Sequence, residues 1–161
     1  MRPFLGAGML MLLVVGACHR ASTGVQQQAS TADAQIAAAT RHYALLLQGA
    51  PADSVAAMYV PNGALVLPGR EPLRGRVAIR DFLAPLAGAT SVPTVEMVID
   101  SLSANGSIAA TAGTYRQIAG PRGGAPDQFR EYRGRYHARW EREPDGAWRF
   151  VELVMMPQAT R

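Results

Sequence analysis

Lysine is absent: all sixteen cationic side chains of the 161-residue chain are arginine. No amine is therefore present to form a Schiff base, to act as a lysine general base or to fill the lysine position of a P-loop. There is one cysteine, Cys18, so no intrachain disulfide and no zinc knuckle can form. The three histidines, at 19, 42 and 137, are too scattered for a His-rich metal site, and no metal or cofactor is expected. Charge is sparse at 17% while apolar residues make up 48%, which excludes a disordered, solvated tail. The one long uncharged apolar run, Leu5 to Val15, falls short of the roughly 20 residues a membrane helix needs.

That run has instead the length of a signal-peptide core, with Arg2 as its positive start. The segment Val15-Gly16-Ala17-Cys18 that follows resembles the lipobox of bacterial lipoproteins. The resemblance implies cleavage before Cys18, acylation of its thiol and attachment to a membrane, which accounts for the position of the sole cysteine. Acyl chains contribute about 0.8 kcal/mol per buried CH₂, so several of them hold a soluble domain firmly on a bilayer. The implied location is the cell envelope, facing the periplasm. In a Gram-negative cell His19, standing where Asp favours inner-membrane retention, implies the outer membrane.

The expected organisation is a signal peptide over 1–17, a flexible tether over 18–31, one domain over 32–157 and a short tail over 158–161. Arg20 to Ala29 is polar, small-sided and aperiodic, as a tether is. Ser30-Thr31-Ala32-Asp33 reads as a helix start, and Ile36, Ala39, Tyr43 and Leu47 follow at helical spacing. A second short helix is expected from Pro51 through Tyr59, a turn at Pro61-Asn62-Gly63, a strand over Ala64–Leu67 and a loop over Pro68–Arg74. A third helix carries Ile79, Phe82, Leu83 and Leu86 on one face. Beyond Pro93 the period falls from 3.6 to 2. Strands are expected over Thr94–Leu102, Ile108–Ile118, Gln128–Arg142 and Trp148–Met156, with turns at Asn105-Gly106 and Asp145-Gly146. Helices first and an antiparallel meander last give an α+β fold with the helices on one face of a curved sheet.

This order of parts resembles the SnoaL-like members of the nuclear-transport-factor-2-like superfamily. Four stretches carry the resemblance: Tyr43 to Leu47 with Gly49; Asp53 to Tyr59; Leu73 to Phe82; and Tyr136 to Trp140 with Asp145 to Arg149. It implies a cone-shaped fold, a pocket between the helices and the concave sheet face, and homodimers. It does not fix one function, since a shared fold hosts isomerases, cyclases and dehydratases as well as proteins with no known activity. Ketosteroid isomerases of the superfamily have a tyrosine on the first helix, which Tyr43 matches. Their catalytic base is a carboxylate after the first strand, and here no Asp or Glu stands between Asp53 and Glu71.

Tyr43, Tyr59, Met97, Tyr115 and Tyr136 are the candidate ligand contacts, each also readable as ordinary core. On the long strand Tyr132, Gly134, Tyr136, Ala138 and Trp140 form an inward row. Arg133, Arg135, His137 and Arg139 form an outward one, whose neighbouring glutamates argue against nucleic acid. Strict alternation on the last strand puts Trp148, Phe150, Glu152, Val154 and Met156 on one face. Glu152 is thereby the candidate acid/base group, with Tyr43 as the donor to a developing oxyanion; the alternative is an ordinary sheet-edge Glu paired with Arg135 or Arg139 of the neighbouring strand. Gly120-Pro121-Arg122-Gly123-Gly124 lacks phosphate-loop spacing and reads as a hairpin loop. Three functions remain open: a lipid-anchored binder of a small, mostly apolar molecule; an isomerase, cyclase or hydratase; and a dimeric interaction module without a ligand.

Overall fold

The computed structural model describes residues 19–158, with side chains from residue 31 onward. The signal peptide, Cys18 and all but the first residue of the tail lie outside the described residues. Helix α1 spans His19–Leu46, so helical backbone runs through the segment expected to be a tether. Helix α2 (Ala52–Ala56) is shorter than expected, and strand β1 (Tyr59–Val66) begins where the helix was expected to end. Pro61-Asn62-Gly63 is not a free turn but an irregularity inside β1. The supposed loop before the third helix holds a two-residue strand β2 (Leu73–Arg74). Then come α3 (Arg76–Ala89), β3 (Thr90–Asn105), β4 (Ile108–Pro121), β5 (Arg130–Arg142) and β6 (Trp148–Pro157).

The six strands form one sheet in the order β2-β1-β6-β5-β4-β3. All neighbours are antiparallel except β1 and β6, which run parallel. The last four strands are the expected meander. Helix α1 lies across β3 and reaches β6, while α2 packs on α3. The α+β fold expected from the sequence is thus observed, with three helices on one face of a curved, mainly antiparallel sheet.

Burial follows the patterning. Ile36, Thr40, Tyr43 and Ala44 form the inner stripe of α1, at the spacing of one helix face. On β5, Gly134, Tyr136, Ala138 and Trp140 are buried and the residues between them exposed. Phe150 is the hub of the core. Trp140 packs on it with ring centroids 3.9 Å apart, and Tyr43 meets it edge-on at 4.9 Å. The indole N–H groups are satisfied: Trp140 Nε1 donates to Thr111 Oγ1 (3.0 Å), and Trp148 Nε1 donates to Gln35 Oε1 on α1 (3.1 Å).

Two glycines let aromatic rings cross from one strand to the next. A Cβ at Gly113 would lie 1.9 Å from the Val98 carbonyl oxygen and 2.8 Å from the Tyr136 ring. At Gly134 it would lie 2.3 Å from the Met156 carbonyl oxygen and 2.6 Å from the Tyr115 ring. Gly113 pairs with Tyr136 and Gly134 with Tyr115, so each tyrosine lies over the bare backbone of its cross-strand partner.

Candidate functional site

The candidate tyrosines fall inside the core. Tyr43 from α1 and Tyr59 from β1 share a hydrogen bond of 2.9 Å between their hydroxyls, and both rings are buried. Burial pushes the Tyr43 pKa up to about 12, against a smaller downward pull from the Tyr59 hydroxyl. Tyr59 is raised well above the ordinary value by burial and by its neighbour Tyr43. Both remain neutral at physiological pH and satisfy each other.

Tyr115 and Tyr136 are held over Gly134 and Gly113. Met97, the cross-strand partner of Tyr115, packs against the same core. Burial, and secondarily the Asp100 charge, raise Tyr136 to about 12. The nearby Thr111 hydroxyl acts in the opposite direction, but it already accepts from Trp140 and falls short of a hydrogen bond to Tyr136 Oη. None of these five residues lines the cavity described below.

Glu152 is not on the face that strict alternation gives it. The β5–β6 register runs Ala138↔Leu153, Arg139↔Glu152 and then Trp140↔Phe150, so Val151 is an extra residue on β6. This bulge switches the inward set from Trp148 and Phe150 to Leu153 and Met155. Glu152 therefore shares the outer face with Arg139, its cross-strand partner, which is exposed. It neither approaches Tyr43 nor lines the cavity, and it makes no ion pair among the described residues. The pairing of Glu152 with Tyr43 as acid/base machinery is thus not assembled.

A cavity of about 390 Å³ lies elsewhere, between the end of α1, α2, α3 and the sheet. Such a volume falls in the range of small-molecule pockets. The end of α1 and the turn after it supply Leu46, Leu47 and Gln48; α2 supplies Val55; α3 supplies Leu83 and Leu86. The sheet side is formed by the start of β3, by Gln117 and Ala119 near the end of β4, and by Tyr132 on β5. Arg122, just beyond β4, closes the rim and is the one ionised side chain of the lining, which has no carboxylate and no imidazole. Among the described residues no three His, Cys, Asp or Glu side chains come together as a metal-binding group.

Sequence reasoning placed Tyr132 in the inward row, but as core. It is 44% exposed because it and its cross-strand partner Gln117 lie at the cavity end of the sheet. Leu86, also assigned to a buried helix face, is likewise 44% exposed and faces this space. The signal that could have found them is the mismatch in length: the inward row of β5 is longer than the helical stripe available to cover it.

The sequence profile of the SnoaL-like domain matches residues 28–154. No curated protein is significantly similar to the chain. Among solved structures, it is similar to an NTF2-like protein with a cystatin-like fold from Novosphingobium aromaticivorans (15% identity, TM-score 0.70, covering 87% of this chain and 90% of that one). It is also similar to a ketosteroid isomerase-like protein from Erwinia carotovora atroseptica (15%, TM-score 0.67, 79% and 96%). A third similar structure is a Catenulispora acidiphila protein in complex with S-DNPA (15%, TM-score 0.62, 78% and 94%). At these identities the structures establish the shared fold, and the profile, spanning well over half of the residues, establishes kinship. The chain belongs to the SnoaL-like family and has its NTF2-like fold.

Proposed function

We propose that this domain holds a small, mostly apolar molecule in the cavity between its helices and its sheet, and that the chain is exported and lipid-anchored through Cys18. The observation that carries the binding reading is the lining itself. Leucine and valine side chains line much of a space of about 390 Å³, and Gln48, Gln117, Tyr132 and Arg122 add polar groups to it. A solved relative in fold, the Catenulispora acidiphila protein, is in complex with S-DNPA. Binding fits the lining better than isomerase, cyclase or hydratase chemistry, because general acid–base work at neutral pH calls for a carboxylate or imidazole near the reacting atom. The lining supplies neither.

Native mass spectrometry of the protein purified from its host tests this reading. A small molecule should be retained by the wild-type chain and lost from Ala119→Trp, whose indole fills the cavity. A bare mass for the wild type refutes it. The anchor is tested separately: labelled palmitate should be incorporated by the wild type and not by Cys18→Ala, and equal labelling of the two refutes acylation at Cys18.

A further inference from the structure

Arg122 is the feature of this cavity that a purely apolar ligand leaves unused. It belongs to the Gly/Pro-rich segment that reads in the sequence as an ordinary hairpin loop. In the structure that loop is stitched to the end of α3. The Arg122 backbone N–H donates to the Ala89 carbonyl (2.9 Å). The side chain adds three bonds: Nη2 donates to the Ala87 carbonyl (2.6 Å) and the Thr90 carbonyl (3.3 Å), and Nε to the Gly88 carbonyl (3.2 Å).

These contacts fix the guanidinium plane without neutralising it. The acceptors are neutral carbonyls, and no carboxylate lies within ion-pair distance of Arg122 among the described residues. A guanidinium offers five N–H donors in a planar fork. Nε and Nη2 account for three, and the two on Nη1 donate to no described group. The cavity thus has an oriented cation at its rim with donors to spare and no anion within it. The same lining carries the apolar side chains of Val55, Leu83 and Leu86. Gln117 and Tyr132 stand on the sheet side as neutral hydrogen-bonding groups.

We infer that the ligand is an amphiphilic carboxylic acid, its carboxylate on Nη1 of Arg122 and its hydrocarbon body against Val55, Leu83 and Leu86. This rests on the binding reading above and adds the charge and polarity of the ligand to it. A carboxylate gains charge-assisted hydrogen bonds from a donor already held in place. A neutral alcohol of the same length gains less. An amine meets a like charge, with no acid on the lining to receive it.

The test uses the purified full chain and three probes of equal length, decanoic acid, decan-1-ol and decylamine, titrated by calorimetry at neutral pH. Decanoate is expected to bind at least about tenfold more tightly than decanol, with decylamine weakest. In Arg122→Gln the decanoate-to-decanol affinity ratio should fall to about one. Because that substitution also removes bonds to α3, Gln117→Glu serves as the second variant. It puts a carboxylate into the lining while leaving the loop stitch intact, and should lower the ratio by repulsion. A ratio near one in the wild type, or a ratio that neither variant moves, overturns the assignment of the head group while leaving the binding reading standing. Failure of all three probes to bind, with the native mass spectrum bare, overturns both.

Discussion

The hydroxyl pair of Tyr43 and Tyr59 allows a prediction whose sign depends on pairing rather than on bulk. Each hydroxyl is buried, and each has the other as its partner at 2.9 Å. Tyr43→Phe deletes one hydroxyl and leaves Tyr59 Oη buried without a hydrogen bond, a defect worth about 1–3 kcal/mol. Tyr59→Phe does the same to Tyr43. Removing both at once leaves no polar atom stranded, and replacing both members of a buried pair by apolar groups is close to neutral. The double variant should therefore be more stable than the sum of the singles implies, with a coupling of at least about 1 kcal/mol. Urea unfolding followed by tryptophan fluorescence, from the buried Trp140 and Trp148, gives the four stabilities of the cycle. A double variant as unstable as the two singles added together would show that the hydroxyls act independently, and would refute the pairing. The same group has an alkaline signature. Burial raises the native Tyr43 pKa from 10.0 to about 12, so between these values the unfolded chain loses a proton that the native chain keeps. Its contribution is complete below pH 10 and is lost as pH rises to 12. Tyr43→Phe should flatten that alkaline decline.

Other outcomes follow from named contacts. Trp140→Ala should cost about 3–5 kcal/mol, read as a fall in the urea midpoint, because the indole is 1% exposed, packs on Phe150 and bonds Thr111. Gly113→Ala should destabilise the fold, since its Cβ would meet the Val98 carbonyl oxygen at 1.9 Å. Gly88→Ala on α3 meets nothing within 4 Å and should stabilise by up to about 1 kcal/mol; melting temperatures moving the same way in both would contradict this. Arg149 and the Ala147 N–H hold the Asp145 carboxyl down at about pKa 2. Its contribution is present above 3.8 and lost as pH falls toward 2, so Asp145→Asn should flatten the acid limb of the stability profile over that window.

The meander was legible because one face of each strand is buried and the other wet. On β5 a period of 2 cannot slip without burying Arg135 or Arg139. The β6 bulge was not legible: Val151 is as apolar as its neighbours, and nothing in Trp148-Arg149-Phe150-Val151-Glu152-Leu153 marks where alternation skips. That single residue moved Glu152 from the presumed interior to the outer face. Tyr43, Tyr59, Tyr115 and Tyr136 are buried in the core rather than set along the cavity. The cavity begins near Leu46, at the end of α1, and most of its lining is leucine, alanine, valine and glutamine, which carry no catalytic signature. Arg122 was passed over because its loop matches no phosphate-binding spacing, and its partners on α3 are backbone carbonyls, which leave no trace in side-chain identity.

The placement of β6 between β1 and β5 also sets the order in which this fold can be made. Leu65 of β1 finds its parallel partner only in Leu153. Without β6 the strand order leaves two pieces, β2–β1 and β5–β4–β3, each ending on an unpaired edge. Closure is a late, long-range event, of the kind that slows folding. A chain cut short before Trp148 would keep both edges open to other strands, a template for aggregation. The ten residues of β6 thus act as a keystone: they come after every other strand of the sheet, and its two halves are joined through them.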